Sequence, residues 1–210
     1  MGTVKICGIT NPEDALAAVR YGAGAVGFVF HHRSPRAVTP ETARTIISSL
    51  PPFITTVGVF VDEETSVMKE IASYAGLDVI QLHGSESPDK CRDTGRKVIK
   101  AVRVKHRADI EILRQYRNVS AFLLDAYSPS AMGGTGETFN WEIAVEAKRF
   151  GRIILAGGLD PGNVEGAISL VRPYGVDVSS GVEGREKGRK DHVKLKLFIE
   201  RAGKAFRAYG

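Results

Sequence analysis

Cysteine is scarce in this sequence, and its placement excludes two classes of protein. The 210 residues contain only Cys7 and Cys91, which form no C-x-x-C pair and have no histidine at ligand spacing. A disulfide-dense scaffold and a zinc site are therefore not expected. Long apolar runs are missing too. The longest stretch without a charge, Thr45 to Val61, is interrupted by Pro51 and Pro52, so no membrane span is expected. The opening residues Met1-Gly2-Thr3-Val4-Lys5 carry no apolar signal core, and Ile6 breaks the myristoylation pattern. Without a secretory signal, the Asn118-Val119-Ser120 acceptor triplet is a chance match. Together these absences predict a cytoplasmic protein with reduced thiols and no membrane partner.

No charge sign dominates. There are 29 Lys+Arg against 24 Asp+Glu, a net charge of +5, with 25% charged and 43% hydrophobic residues, which excludes disorder. The imbalance lies at one end, where residues 185–210 hold nine Lys/Arg and three Asp/Glu. Such a terminus either grips nucleic acid or phosphate or forms the solvated face of a last helix. No aromatics are interleaved with Lys187, Arg189 and Lys190, so the helix face is the reading we carry forward, with no nucleic-acid partner.

Glycine is abundant, at 23 residues, about 11% against a usual ~7%. Eight short apolar, β-branched runs recur: Val4–Cys7, Ala25–Phe30, Thr56–Phe60, Val79–His83, Val98–Val104, Ala121–Asp125, Ile153–Ala156 and Val176–Ser179. Helical spacing fills most intervals, over Pro12–Tyr21, Pro40–Ser49, Glu63–Ala75, Asp109–Tyr116, Trp141–Phe150, Gly162–Val171 and Lys190–Phe206. Asn11-Pro12 and Thr39-Pro40 read as an N-cap followed by a first-turn proline, and Ser87-Pro88 before Asp89–Thr94 repeats the signal. Runs that start about 25 residues apart suit one strand and one helix per interval, and hence a parallel sheet. Eight such units predict a single-domain α/β protein over residues 1–210, a (β/α)8 or TIM barrel. A doubly wound open sheet is the alternative. The long interval Ala126–Asn140, with glycines at 133, 134 and 136, is expected to be a mobile cover over the active site.

In a barrel the active site lies at the C-terminal ends of the strands. Cys7 stands at such an end and is either a buried inert thiol or a nucleophile or base. Asp125 ends the run Ala-Phe-Leu-Leu, where a carboxylate is tolerated only at an open mouth or with a basic partner. His83 is an acid, a base or a satisfied strand-end histidine. Arg36 is a surface arginine or a bidentate clamp for a carboxylate. Gly157-Gly158 and Ser180-Gly181 follow the seventh and eighth runs, where barrels commonly bind phosphate through backbone N–H groups. Cys91, within Asp89-Lys90-Cys91-Arg92-Asp93, is expected to be structural.

These segments have a familiar combination and order. Lys5-Ile6-Cys7-Gly8-Ile9-Thr10, Ser34-Pro35-Arg36, Gly58-Val59-Phe60, Gln81-Leu82-His83-Gly84, Leu124-Asp125, Gly133-Gly134-Thr135-Gly136 with Phe139 and Trp141, Leu155-Ala156-Gly157-Gly158-Leu159 and Asp177-Val178-Ser179-Ser180-Gly181-Val182-Glu183 span nearly the whole chain. The sequence thereby resembles the phosphoribosylanthranilate isomerase family of tryptophan biosynthesis. The resemblance implies an Amadori rearrangement of N-(5-phosphoribosyl)anthranilate, with Cys7 as general base and Asp125 as general acid. It implies Arg36 at the anthranilate carboxylate, His83 in substrate binding, and Gly157, Gly158, Ser180 and Gly181 at the phosphate. No metal or redox cofactor is implied, and a small-molecule substrate is the expected partner of a monomer or homodimer. Such chemistry asks burial to raise the aspartic acid's pKa and nearby cations or dipoles to lower the thiol's. Other phosphosugar barrel enzymes are the rivals. The pairing of Cys7 with Asp125 argues against the strand-borne lysine of an indole-glycerol-phosphate synthase and against a histidine-pathway isomerase.

Overall fold

The computed structural model describes residues 2–126 and 141–209. Eight strands, β1 (Thr3–Ile6), β2 (Ala25–Val29), β3 (Thr55–Phe60), β4 (Val79–Leu82), β5 (Lys97–Val104), β6 (Ala121–Ala126), β7 (Ile153–Ala156) and β8 (Gly175–Val178), pair in parallel in chain order. The sheet closes, with β8 beside β1 from Thr3↔Gly175 to Ile6↔Val178. Closure removes both edges and excludes the open sheet. Each expected apolar run is a strand whose ends lie within one residue of the expectation. The glycine-rich cover expected around Gly133, Gly134 and Gly136, and Phe139, lie outside the described residues.

Period-two alternation divides the strand side chains between two cores. Ala25, Val57, Val79, Ile99, Ala101, Ala121, Leu123, Ile154 and Ala156 point inward and fill the barrel. Their neighbours in sequence, such as Val26, Ile80, Val98, Phe122, Leu124, Leu155 and Val176, point outward under the helices. Gly27 faces inward because nothing larger fits. A Cβ there would stand 3.0 Å from Cys7 Sγ and 3.1 Å from Lys5 Cε.

The helices are α1 (Pro12–Tyr21), α2 (Pro40–Ser48), α3 (Thr65–Ala75), α4 (Trp141–Ala147), α5 (Val164–Val171) and α6 (His192–Tyr209). Both proline-led starts hold. Asn11 accepts from the Asp14 N–H and Thr39 from the Thr42 N–H, each with proline in the first turn. Two intervals depart from the expected α-helices. After Ser87-Pro88 the chain makes only a 3₁₀ turn, Asp89–Cys91, and Arg107–Gln115 is 3₁₀ throughout. The second follows from its pattern: Ile110, Leu113 and Tyr116 are buried at a spacing of three residues, the period of a 3₁₀ helix.

The basic terminus resolves into two parts. Along α6, Leu195, Phe198, Ile199, Ala202, Ala205 and Phe206 are buried, while Lys194, Lys196, Lys204 and Arg207 face solvent, as expected of a solvated helix face. Lys190, just before the helix, is buried instead. Among the described residues, no helix is long and apolar enough to cross a membrane.

Candidate active site

A cavity of about 590 Å³ opens at the C-terminal ends of the strands. All eight expected site residues line it: Cys7, Arg36, His83, Asp125, Gly157, Gly158, Ser180 and Gly181. Strand register accounts for the convergence. Cys7 follows β1 and stays in the ladder through its N–H to Val178 O at 2.8 Å. Asp125, two residues beyond Leu123, continues the inward side of β6, and His83, two beyond Gln81, continues β4. Gly157 and Gly158 both have positive φ, 75° and 66°, a turn that only glycine makes without strain.

Below the mouth, Lys5 and Asp177 form an ion pair of 2.9 Å inside the barrel, with side chains 4% and 8% exposed. The two opposite charges act on the Cys7 thiol in opposite senses, Lys5 the more strongly. Lys5 Nζ and Cys7 Sγ stand 3.2 and 3.0 Å from the same point above Gly27. Burial alone would lower the pKa of Lys5, yet Asp177 and Cys7 together hold it raised. Cys7 itself is raised: desolvation outweighs the lowering by Lys5 and Lys190, and Asp177 adds to the rise. This corrects the expectation of a thiol brought toward neutrality. The cations are in place, but a buried thiolate loses more solvation than they return.

Asp125 stands at the open mouth, one of the two placements expected for it, and its side chain keeps 31% of its surface. It also has a basic partner, a histidine. His83 Nε2 lies 3.2 Å from Asp125 Oδ2, and Gln81 Nε2 lies 3.0 Å from His83 Nδ1. An amide NH₂ only donates, so in this arrangement Nδ1 accepts, the ring proton sits on Nε2, and Nε2 donates to Asp125.

Arg36 is neither a free surface arginine nor a free clamp. Its Nε and Nη2 donate to Glu183 Oε1 and Oε2 at 2.6 and 2.7 Å. Lys190 reaches the same carboxylate from the other side, Nζ to Oε1 at 3.2 Å. Burial pushes Glu183's pKa up, but the Arg36 hydrogen bond and the Lys190 charge hold it below the usual carboxylate range. The Nη1–Nη2 edge of Arg36 is not used by Glu183, and a guanidinium can hold a second planar anion there.

Gln81, Glu183 and Lys190 are not candidates from sequence, whereas Ser179 belongs to the strand-end segment Ser179-Ser180-Gly181. Gln81 has a usable signal, because it sits two residues from His83 on one strand face. The other two depend on contacts made across the fold. Among the described residues, Gln81 Oε1 and Ser179 Oγ are buried side-chain atoms without a hydrogen-bond partner, and both residues line the cavity. A polar ligand would relieve that penalty. Cys91 lies in the Asp89–Cys91 turn, buried with Sγ 3.7 Å from Ser87 O, and both cysteines are free. No group of three or more His, Cys, Asp or Glu side chains among the described residues could hold a metal ion.

Comparison with known proteins gives a consistent set of similarities. Residues 4–201 match the sequence model of the family described as N-(5'phosphoribosyl)anthranilate (PRA) isomerase. The N-(5'-phosphoribosyl)anthranilate isomerase of Pelobacter propionicus is 59% identical over 196 residues, covering 93% of this chain and 93% of the relative. The crystal structure of phosphoribosyl anthranilate isomerase from Thermotoga maritima superposes with a TM-score of 0.91 at 48% identity, covering 97% and 100% of the two chains. A phosphoribosyl anthranilate isomerase in complex with reduced 1-(o-carboxyphenylamino)-1-deoxyribulose 5-phosphate superposes with a TM-score of 0.88 at 45% identity, over 97% and 100%.

Proposed function

The chain belongs to the N-(5'-phosphoribosyl)anthranilate isomerase family, and from that premise we propose that it converts N-(5-phosphoribosyl)anthranilate to 1-(2-carboxyphenylamino)-1-deoxyribulose 5-phosphate, with Asp125 as general acid and Cys7 as general base. The observation that carries this reading is that one cavity is lined by a thiol, a carboxyl group, an arginine edge and two glycine-containing turns. A substrate with a sugar ring oxygen, an acidic C2–H, a carboxylate and a phosphate needs such a set.

Asp125 donates a proton to the furanose ring oxygen. The C1–O bond breaks as the anilino nitrogen forms a protonated Schiff base, and the ring oxygen becomes the C4 hydroxyl. Cys7 thiolate then removes the proton from C2, and the electron pair neutralises the iminium to give an enolamine. Loss of the enol proton and protonation at C1 give the ketone, so no atom is gained or lost. Arg36 takes the anthranilate carboxylate on its Nη1–Nη2 edge, and His83 orients Asp125 beside the sugar. The turns at Gly157-Gly158 and Ser180-Gly181 take the phosphate through backbone N–H groups. No step calls for a metal or redox cofactor.

The test is a fluorescence assay on phosphoribosylanthranilate made in situ from anthranilate and phosphoribosyl pyrophosphate by a transferase. Loss of substrate fluorescence, with chromatography showing a product of unchanged mass, is the expected result. A folded protein that leaves the substrate intact would refute the activity.

The raised thiol carries a second expectation. Asp125 must keep its proton while Cys7 loses its own, so kcat/KM does not isolate the thiol. The rate of Cys7 alkylation by iodoacetamide, read in the Cys91→Ser chain, does, and it should climb with pH with its midpoint above the ordinary thiol range. Lys5→Met should move that midpoint higher, since the nearest cation is lost and the Asp177 carboxylate stays. A small thiolate population is compatible with turnover at neutral pH, because a thiolate of higher pKa is the stronger base. An alkylation rate already flat from about pH 7 upward would overturn the raised thiol.

A further inference from the structure

The contacts around Arg36 raise a question of charge. Arg36 and Glu183 form a bidentate pair at 2.6 and 2.7 Å, and such a pair is formally neutral. A neutral pair offers an incoming carboxylate little net attraction, and Glu183 would repel it. The third member of the cluster changes the sum. Lys190 Nζ donates to Glu183 Oε1 and to Ser179 O, both at 3.2 Å, and its side chain is 0% exposed. The Lys190 backbone is fixed as well, its N–H donating to Asp14 Oδ2 at 2.9 Å, with Glu183 and Lys190 bridged in antiparallel fashion. Of the three charges only Arg36 reaches the cavity, at 21% exposure against 5% for Glu183. The cluster therefore holds one net positive charge and shows it to the ligand through one side chain.

We propose that Lys190 is a positioning residue for carboxylate recognition: by balancing Glu183 from the buried side, it lets Glu183 hold Arg36 in place without cancelling the charge Arg36 presents to the substrate. The proposal rests on the reading of Arg36 as the carboxylate clamp. It also assigns the part of the basic terminus that does not belong to the solvated face of α6. Burial holds the Lys190 pKa below the ordinary lysine range, and the Glu183 charge opposes that pull. A lysine serving only to tie down the segment after Glu183 would have the same contacts but no influence on which ligands bind, and this difference is testable.

The probes are reduced 1-(o-carboxyphenylamino)-1-deoxyribulose 5-phosphate and its counterpart without the carboxylate, titrated calorimetrically into the full chain. Lys190→Met should weaken the carboxylate ligand by roughly ten- to fiftyfold, the effect of one unit charge a few ångströms farther back at an effective dielectric near 20, and leave the other within about twofold. Glu183→Gln alone should shift the preference the other way. The double variant Glu183→Gln with Lys190→Met restores the net charge and should recover most of the lost affinity. Equal weakening of both ligands, or no weakening, would overturn the proposal, as would failure of the double variant to recover. Should Lys190→Met fail to fold, Lys190→Gln decides: an unchanged preference for the carboxylate ligand refutes the charge balance. Arg36→Met separates the two levels. If it leaves the preference intact, the clamp reading fails and the proposal with it. If Arg36→Met abolishes the preference and Lys190→Met does not, only the role of Lys190 fails.

Discussion

Cys7→Ala is expected to lower kcat by roughly 10²- to 10⁴-fold, the range that one positioned acid or base contributes. The barrel should stay folded. Sγ lies at the wall of an existing cavity, so its removal widens that cavity instead of opening a void in the core, a change of no more than about 1 kcal/mol. Asp125→Asn should lose activity over the same range. Asparagine keeps the volume and can still accept from His83 Nε2, so its loss would report the missing proton and not a displaced neighbour. In the proposed roles both residues act on the reacting atoms in the transition state, so kcat and kcat/KM should fall together. Cys7→Ser supplies a further control: it fills the space, but a hydroxyl does not ionise near neutral pH. Initial rates by fluorescence, beside thermal melts of each variant, make the measurement. Near-full turnover by either folded variant would remove that residue from the chemistry.

What the sequence allowed and withheld follows from the range of the forces involved. The strands were legible because a short continuous run of apolar, β-branched residues is a local signal, and its recurrence about every 25 residues leaves few alternatives. The caps at Asn11 and Thr39 were legible because each is settled within four residues. The site residues were legible as strand-end positions, and register then carried them to one cavity. The partners were not. Glu183 meets Arg36 across 147 positions and Lys5 meets Asp177 across 172. No local pattern distinguishes the buried Lys190 from the exposed Lys187 or Arg189 beside it. The direction of the Cys7 shift is hidden from the sequence for the same reason: the balance between attraction to nearby cations and lost solvation is set by depth, which only the folded chain defines.

Depth also fixes the largest stability effect expected outside the candidate active site. Lys100 on β5 and Glu86 in the loop after β4 form an ion pair of 2.8 Å with side chains 3% and 0% exposed. Glu86 also accepts from the N–H groups of Asp62 and Gly84, and Lys100 donates to Leu82 O and Gly84 O. This network folds the loop back under His83. Lys100→Met leaves a buried carboxylate without its cation, and the expected loss is about 3–5 kcal/mol, or roughly 6–20 °C in Tm for a chain of this size. The exposed pair Lys69–Asp93, at 2.9 Å but 40% and 87% exposed, is a control, and Lys69→Met should change stability by less than about 1 kcal/mol. Burial would raise the Glu86 pKa, but the hydrogen bond from Lys100, the Asp62 N–H and the Lys100 charge hold it depressed. A depressed carboxyl contributes stability above its unfolded pKa and loses it as pH falls through the folded value. The penalty of Lys100→Met should therefore be greatest near neutrality and shrink in acid, where a protonated Glu86 no longer needs the cation. Urea unfolding of wild type and variant across that range would show it, and a penalty independent of pH would mean that lost packing, not the uncompensated charge, destabilises the variant.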